Sequence, residues 1–114
     1  MASTTSRLNA YRIMWIFVFF DLPVTTKKEQ KIAQKFRKDL LEDGFIMLQY
    51  SVYIRHCPSS ESADAHTRRI KSLIPESGSV SILRVTDKQF GNMEVYYGRK
   101  KTPPPSGWRQ LELF

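Results

Sequence analysis

The chain is poor in the residues on which several kinds of chemistry depend. Its 114 residues include one cysteine, Cys57, and two histidines, His56 and His66. A lone thiol excludes an intramolecular disulfide and a cysteine-based zinc cluster. Neither histidine has a carboxylate or thiol at metal-ligand spacing, which argues against zinc. Both histidines read as structural or solvent-facing. The reducing cytoplasm is the expected compartment. The five glycines, Gly44, Gly78, Gly91, Gly98 and Gly107, are scattered, so no glycine-rich loop cradles a phosphate. Ser51 has no His or Asp near it in sequence to activate it as a nucleophile. No apolar run reaches the roughly 20 residues that a membrane helix takes. Arg7 and Arg12 ahead of an apolar run have the outline of a signal peptide. Asp21-Leu22-Pro23 follows where a small-residue cleavage site belongs, so the chain reads as unsecreted. There is no internal repeat. Acidic residues are in deficit: 18 Lys+Arg face 11 Asp+Glu, giving a net charge of +7. Such a balance points to a polyanionic partner, nucleic acid first and an anionic membrane surface second.

What the chain does contain is organised around residues 13–20, an unbroken run of aromatic and aliphatic side chains closed by Asp21. Continuous apolarity, rather than alternation, predicts a strand covered on both faces and therefore central in its sheet. Pro23 stops it. Asp21 then either starts the turn to the next helix or stands where ligands gather, at the carboxyl end of a central strand. Thr26-Lys27-Lys28-Glu29 has the form of a capping box. The helix behind it is expected to bury Ile32, Ala33, Phe36, Leu40 and Leu41, and Asp43-Gly44 ends it. Residues 45–57 read as strand, with Gln49-Tyr50-Ser51 splitting it in two. A second helix is expected over about 63–74, turning Ile70, Leu73 and Ile74 inward, with Pro75 and Gly78 ending it. Residues 80–85 read as strand, 87–92 as a turn and 93–97 as another short strand.

The order strand, helix, strand, strand, helix, strand predicts an α+β, ferredoxin-like βαββαβ sandwich. It spans residues 12–98, between a lead-in at 1–11 and a tail at 99–114. In that topology the first and third strands are central, and both helices cover one face. The tail runs from Arg99-Lys100-Lys101 through a triple-proline spacer to Trp108, Leu111, Leu113 and Phe114. A stiff spacer ending in an apolar, alternating segment predicts a terminal strand that docks elsewhere, on its own body or on a partner.

Lys28, Lys31, Lys35 and Lys38 recur at helical spacing and form one stripe along the first helix. They read either as a solvated face or, with the second cluster Arg99, Lys100 and Lys101, as contacts to nucleic-acid phosphates. Arg68, Arg69 and Lys71 add charge to the second helix. An alternative is an RNA-recognition-like module without catalysis, which stacks bases on sheet aromatics. Residues 51–55 lack its basic-Gly-aromatic signature.

The apolar strand ending in Asp21-Leu22-Pro23, the basic helix and the run Leu48-Gln49-Tyr50-Ser51-Val52-Tyr53, in that order, resemble a known family. These are the small CRISPR-associated Cas-two proteins that partner the CRISPR integrase. The resemblance covers about residues 11–97, and the tail is similar to the family's C-terminal strand extension. It implies a ferredoxin-like homodimer whose two Asp21 side chains face each other and share one divalent metal, usually Mg²⁺. It also implies metal-dependent cleavage of RNA or DNA with Asp21 as the catalytic and metal-binding residue. The partners implied are two integrase dimers and duplex prespacer DNA, with the protein as scaffold for spacer acquisition. Where family members often carry Arg after the Asp, this chain has Lys27 and Lys28.

Overall fold

A computed structural model describes residues 12–104. Strand β1 (Met14–Asp21) leads into helix α1 (Lys27–Glu42). Strands β2 (Ile46–Gln49) and β3 (Val52–Cys57) follow, then helix α2 (Ser60–Lys71) and strand β4 (Ser79–Thr86). The four strands form one antiparallel sheet in the order β2-β3-β1-β4. This is the expected ferredoxin-like arrangement, with β1 and β3 in the middle. The turn expected around Tyr50 and Ser51 separates β2 from β3.

Alternate residues of β1 point to opposite faces, and both faces are covered. On one face, Ile16, Val18 and Phe20 pack against Ala33, Phe36 and Leu40 of α1 and against Ala63 and Ile70 of α2. On the other, Trp15 and Phe17 form a smaller cluster with Ile54 and Phe90. Two-sided burial explains why β1 reads as continuous rather than alternating.

Helix α1 opens as its sequence predicts. Thr26 Oγ1 accepts from the Glu29 amide at 3.1 Å, and the Glu29 carboxylate accepts from the Thr26 amide at 2.9 Å. The buried stripe is narrower than expected, because Ile32, Leu41 and Ile74 are exposed. Only the row Ala33, Phe36 and Leu40 faces the sheet squarely. Ile32 and Ile74 instead line a groove of about 620 Å³ between α1 and the loop after α2.

One further expectation is corrected. Residues 87–92 are not a simple turn, since Asp87–Gly91 is a short helix, α3. Its signal is a second capping box, Thr86 with Gln89. The short strand expected over 93–97 is present, but it lies outside the four-stranded sheet. Strand β5 (Val95–Tyr97) pairs with β6 (Lys100–Thr102) in a separate hairpin, turned at Gly98 with φ 62. The α1–α2 junction has a polar link with no signal in the sequence. The side chain of Asp43 is only 6% exposed and meets both His66 Nδ1, at 2.7 Å, and the Arg69 guanidinium. His66 is therefore a structural histidine tying one helix to the other.

Candidate nucleic-acid interface at the carboxyl end of the central strand

The last pair in the β1–β4 register is Asp21 with Ser79. Counting back from the buried helix-side residues Phe20, Val18 and Ile16 places Asp21 on the opposite face, with Phe19 and Phe17. Its side chain is exposed and has no hydrogen-bond or ion-pair partner among the described residues. That position is set by backbone packing. Gly78, at φ 90, turns the chain into β4 and brings its Cα against the Asp21–Leu22 backbone. From the sequence Gly78 reads only as the end of a helix. Its closeness to Asp21 joins residues far apart in the chain and has no local signal.

Asp21 is one carboxylate, and the described residues hold no cluster of three or more His, Cys, Asp or Glu that would bind a metal alone. Mg²⁺ takes one or two carboxylates with waters or substrate phosphates. A single exposed Asp fits that donor set as a partial site, completed by water, substrate phosphate or a further carboxylate from outside the described residues.

The lysine stripe divides in two. Lys35 lies 2.9 Å from Asp39, and Lys38 lies 4.0 Å from Glu42, each one helical turn ahead. Lys28 and Lys31 have no carboxylate partner among the described residues. They lie in the first turns of α1, just after the chain leaves Asp21, so their charges and the carboxylate share one end of the sheet. The second cluster is rooted at the other end. Helix α3 is anchored beside Met14, where Trp15 Nε1 donates to the Asp87 carboxylate at 2.7 Å and the Asp87 amide donates to the Ile13 carbonyl at 2.9 Å. The hairpin follows α3 with Arg99, Lys100 and Lys101, of which Lys101 lies 3.9 Å from Glu94. Within one chain the two clusters do not come together. On α2, Arg69 is committed to Asp43, whereas Arg68 and Lys71 have no carboxylate partner among the described residues.

The aromatic face is largely spent on packing. Trp15 stacks on Phe90 with ring centroids 3.8 Å apart, and Phe17 is buried beside them. The β3 positions on that face are Val52, Ile54 and His56. A base-stacking platform of the RNA-recognition kind is therefore covered, with Phe19 as its one exposed aromatic on β1. Cys57 is buried, and burial pushes its thiol pKa up, so it stays protonated and unreactive. Trp108, Leu111, Leu113 and Phe114 lie outside the described residues.

No described helix is long and apolar enough to cross a membrane. A family profile described as CRISPR associated protein Cas2 matches residues 14–93. A protein of Flavobacterium psychrophilum named CRISPR-associated endoribonuclease Cas2 is 55% identical over 109 residues, covering 96% of this chain and 95% of its own. One of the same name from Parvibaculum lavamentivorans is 50% identical over 101 residues, covering 89% of this chain and all of its own. A solved structure described as the crystal structure of cas2 superposes with a TM-score of 0.54 at 24% identity. It covers 82% of this chain and 97% of that one, which shows the shared fold.

Proposed function

The chain belongs to the CRISPR-associated Cas2 family, and on that premise we propose that it binds nucleic acid as a homodimeric scaffold for CRISPR adaptation. We further propose that it carries a divalent-metal-dependent endoribonuclease or DNA nuclease activity at Asp21. The observation that carries the reading is the unpartnered Asp21 carboxylate at the end of the central strand, with Lys28 and Lys31, also unpaired among the described residues, at the same end. Carboxylate and ammonium groups so placed have complementary uses. The lysines hold flanking phosphates as point charges that read no sequence. The carboxylate is the hard oxygen donor a Mg²⁺ ion takes, and a bound Mg²⁺ supplies Lewis acidity and an activated water to a phosphodiester.

A second copy supplies the missing donor. The sheet face that carries Asp21 is apolar beyond the reach of α3, with Phe19 37% and Leu83 50% exposed. A twofold pairing of these faces covers those side chains and brings one Asp21 towards the other. Two carboxylates held close repel unless a cation or a proton lies between them. A shared metal is thus favoured by the pairing itself. The outer edge of β4 supports a further contact. In the described sheet its backbone pairs on one side only, and a free edge receives added strands. The tail of a second copy, residues 110–113, is its proposed occupant, which closes the dimer and presents a surface to the integrase.

The test is Asp21→Asn in the full chain, with cleavage, duplex binding and spacer acquisition all measured. Divalent-dependent cleavage is expected to vanish while binding and acquisition persist, because scaffolding is the cellular role. Undiminished cleavage by the pure variant would place the reaction elsewhere. Loss of acquisition along with cleavage would make catalysis at Asp21 the function used in the cell.

A further inference from the structure

Tyr50 stands at the tip of the turn between β2 and β3, immediately before Ser51, whose carbonyl accepts from the Phe20 amide at 3.0 Å. The turn therefore lies beside the last residues of β1, at the same end of the sheet as Asp21. Tyr50 is 69% exposed, although an aromatic ring in a turn is most easily accommodated by folding it against apolar surface. What meets this ring is a cation. The Arg37 guanidinium carbon lies 3.9 Å from the ring centroid, and Arg37 Nε donates to the Tyr50 carbonyl at 3.4 Å. Arg37 also reaches the Phe20 ring, at 5.3 Å. It has no carboxylate partner among the described residues, unlike its neighbours Lys35 and Lys38.

One face of Tyr50 is thus backed by a guanidinium, and its exposure leaves the other face open to solvent. A ring held flat by a cation is a stacking surface. The guanidinium keeps the positive charge a phosphate would meet beside it. In a chain of net charge +7, the molecule that uses both features is a nucleotide. Bases inside a duplex have both faces occupied by neighbours, and a duplex exposes only the outer face of each end pair. A ring on a turn is therefore best met by an unpaired base.

We propose that Tyr50, backed by Arg37, is a stacking site for an unpaired nucleotide of the bound nucleic acid, next to the Asp21 end of the sheet. The site rests on the nucleic-acid reading above and gives it a substrate class. Lys28 and Lys31 serve any phosphate backbone, whereas Tyr50 selects single strands or unpaired ends.

The test compares the full chain with Tyr50→Leu, Tyr50→Phe and Lys28→Gln/Lys31→Gln. Fluorescence anisotropy is read on a single-stranded RNA, a single-stranded DNA and a blunt duplex across a salt series, with thermal unfolding of each protein. Tyr50→Leu is expected to weaken single-strand binding about tenfold, the effect of removing one stack. Blunt-duplex binding should move less than twofold, and the salt slope should not change, because every phosphate keeps its cation. Tyr50→Phe should bind as the parent does. A difference between the RNA and DNA arms identifies which single strand the site takes. The inference is overturned if a folded Tyr50→Leu protein binds single strands as tightly as the parent, or loses single-strand and duplex binding equally. Loss of association with a protein partner alone would make the ring a protein-docking residue and would also overturn it. If Tyr50→Leu unfolds, Arg37→Gln is read in its place. It removes the backing cation but keeps the ring, and unaltered preference for single strands in that variant counts against the site. Should the double lysine variant leave all binding intact, the nucleic-acid reading itself falls. Should it weaken binding while Tyr50→Leu does not, only the stacking site falls.

Discussion

A Cβ atom placed on Gly78 would stand 2.6 Å from the carbonyl oxygen of Asp21. No real contact of that length is tolerated, and the obstacle is backbone rather than a flexible side chain. Gly44 has nearly the same φ, 89 against 90, but its Cβ would meet only the Arg55 guanidinium, at 3.1 Å. Gly44→Ala is therefore expected to cost about 1–2 kcal/mol from φ alone. Gly78→Ala should cost at least about 1 kcal/mol more, from the forced shift of the strand end. Urea unfolding of the two variants measures the difference. Equal losses would show that the Asp21 segment yields freely.

The division of the lysine stripe makes a quantitative expectation. Lys28→Gln/Lys31→Gln should flatten the log–log salt dependence of duplex binding by about 0.9 for each phosphate that is no longer neutralised. Lys35→Gln/Lys38→Gln should change it less, since Asp39 and Glu42 already balance those charges. A slope unchanged from the parent's in both double variants would return the entire stripe to a solvated helix face.

Cys57 predicts an alkaline weakness. Its thiol is buried, and burial raises its pKa above the ordinary value of 9.0. In the unfolded chain the thiol ionises near that ordinary value, while the folded chain holds its proton longer. The folded state then binds more protons than the unfolded one, and stability falls as pH rises between the two pKa values. Below the unfolded value the thiol contributes no slope. Unfolding followed from about pH 7 to about pH 10, a range that brackets the ordinary thiol value, should show a steeper alkaline decline in the parent than in Cys57→Ala. Parallel curves would mean that the thiol does not drive the loss.

Removing the tail after Thr102 tests the strand-exchange role proposed for Trp108, Leu111, Leu113 and Phe114. Sedimentation should show a concentration-dependent shift towards monomer, because the β4 edge loses its added strand. A truncated chain that stays dimeric and still engages the proposed integrase partner would show that the tail is neither a dimer clasp nor a partner dock.

Local chemistry makes several elements legible. The apolar run before Asp21 announces a two-sided central strand, and Thr26 with Glu29 announces the start of α1. Gln49-Tyr50-Ser51 marks the turn, and the βαββαβ order follows from those pieces. Asp21 stands out because a strand end is a local feature. Helix α3 has a local signal in Thr86 and Gln89, but a five-residue helix is too short to show a periodic face. The relationships that define the site are not local. Gly78 touches Asp21 only because β4 pairs with β1, and Tyr50 meets Arg37 only because the β2–β3 turn folds back beside α1. Which lysines keep their charge unbalanced also depends on rotamers that a repeating pattern does not specify. Periodicity reports which face of an element is buried, whereas strand register and chain closure decide which distant residues share an end of the sheet.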